Sequence, residues 1–101
     1  MQPGYQQWIN SVYKRDNYIC QVTGKRGLIH AHHLEAWNSN KELRYDIDNG
    51  ITLLFSVHSE FHKKYGKGNN TREQFKEFIK NLTQEEKDAF QTIKAKNENQ
   101  K

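Results

Sequence analysis

The stretch "DNGITLLFSVHSEFHKKYG", residues 48–66, changes its period part-way along, and that change decides the fold. Asp48, Asn49 and Gly50 are a strong turn signal, because Asn and Asp bond their own backbone and Gly bends freely. "ITLLF" follows as a short apolar strand. From Ser56, placed here as the N-cap, the spacing of "VHSEFHKKY" is helical. Val57 and Phe61 form its apolar stripe. His58 and His62 fall one turn apart on a single neighbouring face, a spacing suited to gripping one ion. "GKGNN" then breaks the helix.

Upstream, "LIHAHHLEAW", residues 28–37, reads as a second strand with loop edges. Extended backbone alternates its side chains. Leu28, His30, His32 and Leu34 therefore share one face, and Ile29, Ala31 and His33 the other. Adjacent His32 and His33 point to different jobs. No histidine lies outside residues 30–62. Between the strands, "NSNKELRYDIDNG" is polar and turn-rich. Further back, Trp8, Ile9, Val12 and Tyr13 sit at helical spacing in "YQQWINSVYKRDNYIC", with a stop near Asp16 and Asn17. "CQVTGKRG" has the composition of a turn between short extended segments.

Downstream, Thr71 with Gln74 is a capping box that opens "REQFKEFIKNL", whose Phe75, Phe78, Ile79 and Leu82 form an apolar face. Thr83 with Glu86 repeats the signal and predicts a last helix to about Lys94. "AKNENQK" then reads as a frayed tail.

A chain of 101 residues has the size of one small domain, and with 34% hydrophobic and 28% charged residues its core is limited. A bound metal is one way to reinforce such a core. The formal net charge of +4 fits a phosphate-bearing partner. One cysteine, Cys20, excludes an internal disulfide and points to a reducing compartment. "MQPGYQQWINS" has no basic start followed by an apolar run, and no segment is apolar enough to span a bilayer. A cytoplasmic, membrane-free protein is the expectation.

Four segments agree in order and spacing with a known pattern: "RDNYICQVTGK", "HAHHLEAWN", "RYDIDNGITLL" and "HSEFHKKYGKGNNTREQF". Through them the chain resembles the HNH endonuclease family, particularly the small HNH proteins of phages and their bacterial hosts, over roughly residues 14–75. The resemblance implies an α+β fold with a ββα-metal (His-Me finger) core, an N-terminal helix and a C-terminal helical extension at about 71–94. A single nuclease domain over 1–101 follows, acting in a bacterial or phage-infected cell. The resemblance makes His33 the general base, His32 and His58 metal ligands, and Asn49 the residue that holds the loop in shape and so fixes the base. His62 is a further ligand or a phosphate contact. Arg44, Lys63, Lys64 and Lys67 flank the site as candidate DNA-phosphate contacts. Glu60 and Asp46 are candidates to orient a ligand imidazole, with solvated surface charge as the commoner fate of such residues.

The implied chemistry is hydrolysis of DNA phosphodiesters with weak sequence preference, as nicks or as cuts, using one divalent ion. His32 stands where the family usually has aspartate. A nitrogen-rich site favours Zn, Ni or Mn over Mg. Many relatives also hold a structural zinc on two CxxC pairs. Here those positions are Cys20 with Thr23 and Leu54 with Val57, so no such four-cysteine zinc is expected and apolar packing stands in. The alternative is a non-catalytic, metal-stabilised module that binds nucleic acid or protein, for example beside a phage DNA-packaging machine. Oligomeric state is left open by the sequence.

Overall fold

The computed structural model describes residues 4–37 and 41–92. Helix α1 spans Tyr5–Arg15, strand β1 Ile29–His33, strand β2 Gly50–Leu54, helix α2 Phe55–Tyr65, helix α3 Arg72–Lys80 and helix α4 Gln84–Ala89. Two short 3-10 turns, Lys41–Leu43 and Ile47–Asn49, occupy the polar connection between the strands. The fold is α+β, with β1 and β2 paired antiparallel and His33 opposite Gly50, His32 opposite Ile51 and Ile29 opposite Leu54.

Both faces of the two-stranded sheet are covered. On one side α1 lies against β2, with Thr52 Oγ1 donating to the Val12 carbonyl and Trp8 and Val12 packed over Gly50. On the other, the His32 ring meets Phe61 of α2 and Phe75 of α3. A strand buried on both faces needs no alternation, which is why "ITLLF" reads as a continuous apolar run. The main core joins Cys20, Leu34, Leu53, Leu54, Val57, Phe61, Phe75 and Phe78. Cys20, Leu54 and Val57 thus belong to one apolar cluster at positions where the family resemblance places thiolates. Thr23 instead accepts a hydrogen bond from its neighbour Lys25.

One ion pair anchors α1. Asp16, buried, accepts from the Arg15 guanidinium and from the Thr52 backbone N–H of β2. Arg15 also donates to the carbonyls of Ile47 and Gly50. Burial alone would raise the Asp16 pKa, but the Arg15 and Thr52 hydrogen bonds outweigh it and hold the carboxyl below its usual value. The pair therefore ties helix, strand and loop at one point.

Both capping boxes form as expected, Thr71 with Gln74 at α3 and Thr83 with Glu86 at α4. Three expectations need correction. Ser56 is not an N-cap: α2 starts one residue earlier, at Phe55, straight out of β2 and without a side-chain cap. The Phe55 N–H bonds to the carbonyl of Leu28, just before β1, which satisfies one of the four free donors of the helix start, and Ser56 Oγ donates to the Gln91 carbonyl. The last helix stops at Ala89, short of Lys94, because Phe90 turns to extended backbone and packs on the core while Lys25 Nζ binds the carbonyls of Asp88 and Phe90. The turn at residues 21–23 has a strand on one side only, β1 from Ile29; no strand precedes it among the described residues. The tail expected at 95–101 lies outside the described residues.

Candidate metal centre

Strand β1 and helix α2 supply the histidines. The pleat of β1 sends His32 toward α2 and His33 toward α1. On α2, His58 and His62 share a face one turn apart, and their Nε2 atoms approach to 3.0 Å. His32, His58 and His62 each offer a nitrogen, and these nitrogens lie within 4.8 Å of one another. Two imidazole nitrogens about 2.1 Å from one ion stand about 3.0 Å apart at a right angle and about 3.4 Å apart at the tetrahedral angle. The His58–His62 separation is that of an imidazole–imidazole hydrogen bond and equally fits two neighbouring ligands of one ion.

The fit is supported by His32, which is 3% exposed and whose Nε2 has no hydrogen-bond partner. A buried, unpaired ring nitrogen costs free energy unless something binds it. His62 is pre-aimed by the helix terminus. Its Nδ1 donates to the Gly66 carbonyl, which closes the C-terminal end of α2, so its Nε2 is the nitrogen left with a lone pair toward the cluster. Burial, followed by the charges of neighbouring histidines, pushes His32 down to about 3. Burial, then His62, His30 and Lys67, pushes His58 down to about 4. Both are neutral at pH 7, the form in which imidazole ligates a metal.

His33 is held separately. Its ring lies face to face on Trp8, with centroids 3.9 Å apart and an interplanar angle of 10°. Its Nε2 is 2.9 Å from the Arg44 carbonyl, an acceptor only, so that nitrogen carries the ring proton and the other is free to take one. Burial lowers its pKa, opposed by the Arg44 hydrogen bond. The loop that presents this carbonyl is knitted by Asn49, which is 1% exposed. Asn49 Oδ1 accepts from the Glu35 N–H, and its Nδ2 donates to the carbonyls of Glu35 and Leu43, next to Arg44. The Asn49 side-chain hydrogen bonds go to Glu35 and Leu43, so it shapes the loop that holds His33. A cleft of about 300 Å³ is lined by His32, His33, His58 and His62, together with Tyr5 and Asn70.

No model of a known protein family, no curated protein and no solved structure matches this chain.

The basic residues separate into three places. Lys63 and Lys67 line a basin beside His58 and His62. Lys64 lines a different groove with Glu60, Phe78 and Leu82, and its ammonium lies over Tyr65. Arg44 donates to the Trp37 carbonyl and lies 4.4 Å from the centre of the Trp37 ring. Neither Glu60 nor Asp46 orients an imidazole: Glu60 faces the second groove, and Asp46 caps the turn at Ile47–Asn49. The orienting groups are the backbone carbonyls of Gly66 and Arg44, which no side-chain pattern reveals. Trp8 is the other contributor the sequence reading missed; its burial with Val12 on one helix face was visible, its stacking on His33 was not.

Proposed function

We propose that this protein is a metal-dependent DNA endonuclease built on a ββα-metal core, with His33 as general base and His32, His58 and His62 as the residues that hold a divalent ion. The observation that carries the reading is the pairing of two unlike imidazole environments in one cleft. Three rings converge, one with a buried unpaired nitrogen, while a fourth on the opposite strand face is tied to a carbonyl and keeps one nitrogen for a proton. A purely structural ion site has no use for that fourth ring.

His33, neutral at pH 7 because burial depresses its pKa, takes a proton from the attacking water, a step typically worth ~100- to 10,000-fold in rate. Trp8 and the Arg44 carbonyl keep its ring from turning as the charge develops. The ion, when bound, supplies charge stabilisation at the phosphoryl oxygens. Lys63 and Lys67, on the rim beside His58 and His62, hold the flanking phosphates. By resemblance to HNH nucleases the products carry a 5′-phosphate and a 3′-hydroxyl.

One observation favours the alternative of a metal-stabilised binding module. His32 is wedged between Phe61 and Phe75, as deep as a structural ligand would be. Plasmid nicking separates the two readings. After chelation, Zn²⁺, Ni²⁺, Mn²⁺ or Mg²⁺ is added singly to wild type and to His33→Ala. The nuclease reading expects ion-restored nicking that His33→Ala lacks while still binding the ion. Ion binding without nicking by either protein favours the module.

A further inference from the structure

A second concavity, of about 490 Å³, adjoins the histidine cluster and shares His58 and His62 with it. Its floor is a row of rings. Phe55 lies 5.3 Å from His30 at an interplanar angle of 44°, and His30 lies 5.2 Å from His58 at 25°. Lys63 and Lys67 stand at the edge, both exposed. Phe55 is the anomaly. The other apolar residues of α2, Val57 and Phe61, are fully buried, whereas Phe55 is 39% exposed at the first position of the helix. A phenyl ring at that position serves neither a cap nor the core.

An exposed aromatic face, extended by imidazoles and bordered by ammonium groups, is the surface that takes an unstacked base together with its phosphates. A base inside a duplex keeps both faces covered by its neighbours and cannot lie on Phe55. We infer that the Phe55–His30 basin is a subsite for the nucleobase of a single-stranded or locally unpaired DNA strand, one that enters the metal centre with its phosphates on Lys63 and Lys67. The inference rests on the nuclease reading for the identity of the polymer and adds a preference for unpaired strands. Continuity with His58 places the stacked nucleotide next to the cluster, so the same strand is held at both places.

The test is binding of a labelled 12-nucleotide single strand, and of a hairpin duplex of the same sequence, to the full chain in chelator so that nothing is cut. Phe55→Ala is expected to weaken single-strand binding about fivefold or more, since stacking on one aromatic ring is lost. Phe55→Trp should retain it, and duplex binding should change by less than about twofold. Lys67→Ala should weaken both forms alike through lost phosphate contact. In a strand whose bases are replaced by abasic sites, wild type and Phe55→Ala should bind equally. Unchanged single-strand affinity in Phe55→Ala, or equal losses for strand and duplex, overturns the subsite. Because binding is read without cleavage, the two readings fail separately. Plasmid nicking with no Phe55 dependence of strand binding removes the subsite alone, and Phe55-dependent strand binding without nicking removes the nuclease alone.

Discussion

Gly50→Ala probes the site from the side opposite the proposed ion position. Gly50 has ordinary extended backbone, φ −119°, so alanine meets no conformational penalty there. The obstacle is space. A Cβ at that position would lie 2.5 Å from Val12 Cγ2 and 2.7 Å from Trp8 Cζ2. Carbon atoms pack at about 3.5–4.0 Å, so α1 must retreat by roughly 1 Å or its side chains must leave their rotamers. Neither yields easily, because Val12 is stiff and fully buried and Trp8 donates its indole N–H to the Asp46 carbonyl. Overpacking of this kind costs about 1–3 kcal/mol, read as a lowered midpoint in urea unfolding at unchanged slope. Trp8 is also the surface on which His33 rests, opposite Gly50 across the strand pair. A 1 Å shift of a reacting group can cost about 100-fold in rate, so nicking should fall far more than stability explains. Ion binding, measured calorimetrically, should be nearly unchanged, because His32, His58 and His62 lie on the other side of the sheet. Full nicking activity in Gly50→Ala, or a loss of ion affinity matching the loss of rate, would refute this account.

Replacing His32 by leucine removes a buried nitrogen with no partner, so the ion-free protein should gain about 1 kcal/mol while losing the thermal stabilisation that added Zn²⁺ gives wild type. The check is a pair of melting curves; equal Zn²⁺ shifts in both proteins would remove His32 from the ligand set. Because the folded-state pKa of His32 is depressed to about 3, the unfolded chain takes up the proton first. Its contribution is therefore complete above about pH 6.5 and is lost as pH falls, by about 1.4 kcal/mol per unit, or about 2 kcal/mol at pH 5. Urea unfolding with chelator at pH 7 and pH 5 measures it, and the His32→Leu variant should lack this part of the slope. Asn49→Ala deletes three hydrogen bonds at a fully buried position, for about 3 kcal/mol, and should slow nicking even under conditions where the variant is fully folded.

The order of elements was legible because the hydrophobic period changes at the right places: helical through Trp8 and Val12, extended through the two strands, and helical again before Val57 and Phe61. Capping boxes at Thr71 and Thr83 were legible for a similar reason, since both partners sit three residues apart in the chain. What failed depends on distant partners. Ser56 looks like a cap, but its hydroxyl is used by Gln91 and the helix start is served by Leu28. Strand alternation set His32 apart from His33 and helical spacing paired His58 with His62, but only the family resemblance brought His32 together with the helix pair. The separation of Lys64 from Lys63 was also available in principle, because successive helix residues are about 100° apart. Stacking of Trp8 on His33 was beyond reach, since nothing local says that α1 crosses the end of the hairpin.

The register of the hairpin sorts the histidines into their tasks. His32 and His33 are chemically identical and adjacent, and only the pleat, with Ile51 opposite one and Gly50 opposite the other, gives one to the α2 side and the other to the α1 side. Slipping β1 by one residue toward its start would move His33 into the slot between Phe61 and Phe75 and set Leu34 against the indole. Such a chain would keep its composition and its helices, yet carry the proposed base where the proposed ligand belongs. The connection between the strands is therefore free to change in length only so far as it leaves this pairing intact. Parity, more than loop sequence, is the property that such a protein must preserve as it varies.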